Sequence, residues 1–105
     1  MYTFPKNFIW GAATSGPQSE GNFKKRHQNV FDYWYTKDPS AFYAGVGPDT
    51  TSNFYNDYEN DLKLMHQAGI KALRTSIQWS RLIADFETCE VDQKGADFYS
   101  RVIDA

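Results

Sequence analysis

Gln18 and Arg74 are the two side chains whose type and position best suit chemistry. Gln18 follows the apolar run Phe8-Ile9-Trp10-Gly11-Ala12-Ala13 after a short polar step, Thr14-Ser15-Gly16-Pro17. A carboxamide carries an acceptor oxygen and a donor NH2, so one Gln can read two adjacent hydroxyls of a sugar. A polar loop residue with no ligand is the plainer reading, and spacing alone leaves both open. Arg74 alternates with Ala72 and Ser76, which turns it to one face of an extended segment. A guanidinium removed from water is costly unless a carboxylate meets it. Arg74 therefore calls for a carboxylate partner, and a structural salt bridge is the plainer reading. An opposite charge at close range lowers a carboxylate pKa by about 1–3 units.

Other chemistries find less support. Asp57, Glu59 and Asp61 lie on one acidic stretch, and no two carboxylates form a defensible pair. Glu20 reads as loop scaffolding, and Trp79 and Arg81 as structural neighbours of Arg74. His27 and His66 are far apart in the chain, so no metal site is expected. No glycine pattern cradles a phosphate, and residues 56–61 lack the central Gly and terminal Glu of a calcium loop. No Ser-His-Asp or Cys-His arrangement can be argued. No metal or organic cofactor is expected.

The elements that must position Gln18 and Arg74 follow from periodicity. Residues 8–13 are apolar and of strand length, tapering from Trp10 to Gly11-Ala12-Ala13, and Gly16-Pro17 reads as a stop. Such a taper leaves empty volume at the strand's C-terminal end, as in a barrel strand with a ligand at its mouth. Residues 17–53 show little periodicity, apart from a short helix capped by Asn29. Phe54, Tyr58, Leu62 and Met65 form an apolar stripe with Ser52 as candidate cap and Gly69 past the end. Residues 70–77 read as a second strand with Leu73, Thr75 and Ile77 toward a helix layer. Residues 78–91 read as loop, with one turn near Trp79. A last helix begins after Asp92, with Phe98 and Val102 on its stripe. Strands alternating with helices imply parallel β/α units, an α/β class.

Bulk properties bound the function. The 105 residues suit one domain with a modest core, and the net charge of −2 draws the chain to neither nucleic acid nor anionic membrane. Aromatics make up 17% of the chain, which serves a core first and sugar-stacking platforms second. The single Cys89 allows no internal disulfide, which fits a reducing compartment. The first residues carry no signal-peptide apolar core, so cytoplasm is the expected location.

The run from Phe4 to Gly21 closely resembles the N-terminal signature of glycoside hydrolase family 1, roughly F-P-x-x-F-x-W-G-x-A-T-S-x-x-Q-x-E-G. Leu73-Arg74-Thr75-Ser76-Ile77-Gln78-Trp79-Ser80-Arg81 resembles the family's second-strand run, close to Y-R-F-S-I-S-W-S-R. Ala13 to Gly21, Val46-Gly47-Pro48-Asp49-Thr50 and Asp85-Phe86-Glu87-Thr88 look like the bacterial 6-phospho-β-glucosidase branch. The resemblance implies a (β/α)8 barrel that cleaves β-glycosidic bonds. Such a barrel takes about 250 residues, so residues 1–105 are expected to supply its first two β/α units, as a fragment or truncated product.

What the resemblance implies for the site is specific. Gln18 stands where the family's Gln hydrogen-bonds the glycone, and Arg74 where its Arg lies beside the nucleophilic glutamate. A retaining β-glycosidase works with two carboxyl groups about 5–5.5 Å apart. The motifs that carry them, T-F/L-N-E-P and I/V-T-E-N-G, do not occur here, so no catalytic residue is expected within the chain. The expected partner is a small β-glycoside, 6-phosphorylated on the branch likeness, with self-association through unpaired barrel strands. A non-catalytic sugar-binding module and an inactive truncated product are the rival readings.

Overall fold

A computed structural model describes all residues, 1–105. Its centre is a parallel pair of short strands, β1 (Gly11–Ala13) and β2 (Ala72–Arg74), in the register Gly11↔Ala72, Ala12↔Leu73 and Ala13↔Arg74. Flanking bonds extend the ladder: Lys71 N–H donates to Trp10 O at 2.8 Å and Thr14 N–H to Arg74 O at 2.9 Å. Between the strands come a one-turn helix α1 (Gly16–Ser19), α2 (Val30–Lys37), two 3-10 turns at Pro39–Ala41 and Tyr43–Gly45, and α3 (Phe54–Gln67). After β2 come a one-turn α4 (Trp79–Leu82), an antiparallel hairpin of β3 (Ile83–Asp85) and β4 (Glu90–Val91), and α5 (Gln93–Asp104).

The two long helices bury the stripes expected of them. Phe54 and Tyr58 of α3 meet Phe98 and Tyr99 of α5, with Leu62, Leu73 and Val102 packed around. Because Leu73 joins this core, its register partner Ala12 shares the helix-facing side of the pair. Gly11, Ala13, Ala72 and Arg74 occupy the opposite face and are exposed. Only 15 of 105 residues are buried, and the radius of gyration is 16.3 Å, against about 13 Å for a compact domain of this length. The shape is an open sector of wall rather than a closed body. The parallel pair with α3 and α5 packed on one face is the arrangement of two successive β/α units.

Several local expectations need correction. The first strand is confined to Gly11–Ala13; Phe4, Phe8 and Trp10 stack on one another instead, with ring centroids 4.6–4.8 Å apart. Gly16-Pro17 opens α1 rather than ending structure, because a proline with fixed φ and no N–H suits a first helical turn. The cap residue of α3 is Asn53, left-handed at φ 58, not Ser52, whose hydroxyl donates to Ser19 O at 3.2 Å. Thr75 and Ile77 lie past the end of β2 and are exposed. The 78–91 segment contains the β3–β4 hairpin, which polar composition conceals. Asn29 caps α2 through a full capping box with Asp32, as expected. Gly69 at φ +85 closes α3.

Candidate functional site

The site grows from the C-terminal ends of the parallel pair. β1 runs into α1, whose first backbone N–H, that of Gly16, donates to Ser76 Oγ at 3.0 Å just beyond β2. This bond ties the turn carrying Gln18 to the segment that follows Arg74. Within α1, Gln18 N–H donates to Ser15 O at 3.1 Å and Ser19 Oγ to Ser15 O at 2.8 Å. Ser15 Oγ donates to Gln18 Oε1 at 2.8 Å, which leaves the amide NH2 free of partners in the chain. Gln18 is exposed and borders a cavity of about 370 Å³.

Arg74 is the register partner of Ala13, on the face turned away from α3 and α5. Its side chain is exposed, and the ion pairs of the chain join other residues. The fold thus brings Gln18 and Arg74 to the same end of adjacent strands. It makes no direct bond between them.

Beneath them lies a buried polar cluster that sequence reasoning saw only as scaffolding. Glu20 and Arg81 are each 2% exposed. Arg81 Nε donates to Glu20 Oε2 at 2.8 Å, and its terminal nitrogens donate to Phe23 O at 2.9 Å and Gly21 O at 3.0 Å. Gln78 Nε2 donates to the same Glu20 oxygen at 2.8 Å, and Tyr99 Oη donates to Glu20 Oε1 at 2.9 Å. The Tyr99 oxygen in turn accepts Gln78 N–H at 2.8 Å. Asn29 Nδ2 closes the cluster on Gln78 Oε1 at 2.6 Å.

A charge pair buried this deeply holds only when its remaining hydrogen-bonding capacity is filled, as here. The guanidinium also lies 4.0 Å from the Tyr55 ring centroid, a cation–π contact. Burial pushes the Tyr99 phenol well above the ordinary tyrosine range, and the Glu20 charge beside it adds to the shift. Gly16 completes the packing: a Cβ there would stand 2.4 Å from Gln78 Cγ and 2.8 Å from Glu20 Oε1. The cluster therefore locks α1, whose C-terminal cap is Glu20, to α4 and α5. One signal for it was legible: Gln78, Ser80 and Arg81 interrupt the apolar residues Ile77, Trp79, Leu82 and Ile83.

No group of three acidic, His or Cys side chains gathers as a metal site, and no helix is long and apolar enough to cross a membrane. What this surface offers is a free amide, a free guanidinium and neutral cavity walls at the mouth of parallel strands. That arrangement is one sector of a β/α-barrel wall. The whole chain, residues 1–105, matches the family model described as glycosyl hydrolase family 1, and the chain belongs to that family.

Its relatives agree. The chain is 47% identical over 106 residues to the 6-phospho-beta-glucosidase GmuD of Bacillus subtilis (strain 168), covering 99% of this chain and 23% of that protein. It is 38% identical over 102 residues to beta-glucosidase A of Acetivibrio thermocellus, covering 95% and 22%. A solved Thermotoga maritima beta-glucosidase, in complex with methyl acetic acid-substituted glucoimidazole, superposes with a TM-score of 0.81 at 35% identity, covering 96% and 23%. The chain spans about a quarter of the length of these relatives.

Proposed function

We propose that this chain serves as the N-terminal wall of a retaining β-glycosidase that hydrolyses 6-phospho-β-glucosides. Gln18 donates its free NH2 to glycone hydroxyls. Arg74 stands beside the nucleophilic carboxylate, holding it ionised and oriented. Both catalytic glutamates come from outside residues 1–105, and the isolated chain is inactive. The observation that carries this reading is the pairing of Ala13 with Arg74 and of Gly16 with Ser76, which sets both groups at one end of the sheet. The phosphorylated substrate is favoured by the name of the 47% identical Bacillus relative. The exposed free Cys89 fits a reducing cytoplasm. In isolation, the unpaired outer edges of β1 and β2 favour self-association.

The test is to assay the purified chain against nitrophenyl β-glucoside 6-phosphate. Release of nitrophenol above the uncatalysed rate would refute the assignment of the catalytic carboxylates elsewhere.

A further inference from the structure

A second cavity, of about 280 Å³, lies between the 22–28 loop and α2. Asp32, Tyr35 and Thr36 line it from α2, at the spacing of one helix face. Phe31 lies off that face and borders the cavity of Gln18 instead, and Pro48 is the one wall the two cavities share. Asn22, Lys25, Gln28 and Asp49 supply much of the remaining lining, which is almost wholly polar.

Asp32 is the residue that asks for a ligand. It is 4% exposed, and its Oδ2 accepts the Asn29 N–H at 2.8 Å and pairs with the Lys25 ammonium. Its Oδ1 is buried with no donor in the chain, a costly state for a carboxylate oxygen. The Lys25 side chain is buried as well, and no acceptor besides Asp32 meets its three protons. The other basic walls are committed elsewhere. Arg26 donates to Asp92 Oδ2 at 3.2 Å, and His27 Nε2 donates to Ala84 O at 2.9 Å.

We infer that this cavity binds a neutral polyol of single-sugar size, through a hydroxyl that donates to Asp32 Oδ1 and accepts from Lys25 Nζ. A hydroxyl does both at once. An ammonium ion can donate, but Lys25 repels it. A phosphate can accept, but it faces Asp32 and Asp49 and leaves Oδ1 unmet. Further hydroxyls find the amides of Asn22 and Gln28 and the Asp49 carboxylate along the wall. The volume falls just under the roughly 300 Å³ at which drug-sized pockets begin, which suits one ring rather than a chain of them. This site needs neither Gln18 nor Arg74 and stands apart from the proposed hydrolysis.

The experiment titrates the full isotope-labelled chain with glucose, methylammonium chloride and inorganic phosphate at constant ionic strength, followed by amide NMR. Glucose is expected to move the Asn22, Lys25, Asp32 and Thr36 amides and the Gln28 side-chain NH2 saturably, and to do so equally in Q18A. Thr36 is exposed on the helix surface, so T36M keeps the fold, checked by circular dichroism. Its longer side chain fills the cavity and abolishes the shifts. D32N exchanges the unmet acceptor for an amide and weakens glucose about tenfold, the loss of one hydrogen bond to a charged group. Should D32N unfold, the exposed double variant N22A/Q28A takes its place and weakens glucose about fivefold. No saturable shift with glucose, equal shifts with phosphate or methylammonium, or unchanged affinity in T36M overturns the polyol site. Loss of the shifts in Q18A overturns it too, by assigning them to the Gln18 cavity.

Discussion

Arg81 and Glu20, sixty-one residues apart in sequence, meet at 2.8 Å with both side chains almost wholly out of water. The pair is the joint between the turn that carries Gln18 and the second β/α unit that carries Arg74. Neither residue is placed to touch a ligand in the proposed site. What they supply is position.

Breaking one half of this pair leaves a buried charge uncompensated, which costs about 3–5 kcal/mol. R81M and E20Q should each lose stability on that scale in urea unfolding. For a chain with so small a core, that loss approaches the whole. The double variant E20L/R81M should recover part of it, limited by the Gln78 and Tyr99 groups left without an acceptor. Single variants within 1 kcal/mol of the parent, a margin well below the cost of an unpaired buried ion, would show that the pair holds nothing.

Tyr99 gives a pH signature of the same cluster. Its folded pKa is raised, chiefly by burial and then by the Glu20 charge, so the folded state keeps a proton that the unfolded chain releases near pH 10. Stability is therefore full below about pH 10 and falls as the pH rises beyond it. Thermal melting from pH 8 to 11 should show this decline, and Y99F should remove Tyr99's share of the slope. An unchanged slope in Y99F would assign the alkaline limb to other groups.

Asp92 acts in the opposite direction. As cap of α5 it accepts the Gly95 N–H at 3.1 Å, and this bond, helped by Arg26, holds its carboxyl below the usual range. The contribution is present above about pH 4 and is lost as the pH falls through the lowered folded value. D92A should cost about 0.5–2 kcal/mol at pH 7, with a smaller gap at pH 2 in thermal melts. D92N keeps a cap acceptor and should be less pH-sensitive than the parent. A D92A gap independent of pH would contradict the charge-assisted cap.

Legibility divided along a physical line. Phe54-Tyr58-Leu62 and Phe98-Val102 announced α3 and α5 because helical stripes are local, and the alternation around Arg74 placed its face correctly. The β3–β4 hairpin was hidden: its turn is held by Asp85 Oδ1 accepting the Glu87 and Thr88 N–H groups, with Cys89 at φ 61. That chemistry leaves no hydrophobic period. Glu20 could be read as scaffolding, but its partners Gln78, Arg81 and Tyr99 are long-range in sequence, and nothing local names them. Ser52 failed as a cap because its hydroxyl was engaged by Ser19 across the chain. The roles of Gln18 and Arg74 rested on motif resemblance and on strand facing, not on composition.

The most direct measurement of the central account is made in a chimera. The chain replaces the aligned N-terminal segment of the 47% identical Bacillus 6-phospho-beta-glucosidase, and nitrophenyl β-glucoside 6-phosphate hydrolysis is followed against pH. The chimera should be active. Q18A should lower kcat/KM by about threefold to tenfold, the loss of one hydrogen bond to substrate. R74A should lower kcat and move the acidic limb upward by about 1–3 pH units as the nucleophile loses its counter-charge. An active chimera in which Q18A and R74A both keep the parent's rate and pH profile would contradict a shared sugar site at the ends of β1 and β2.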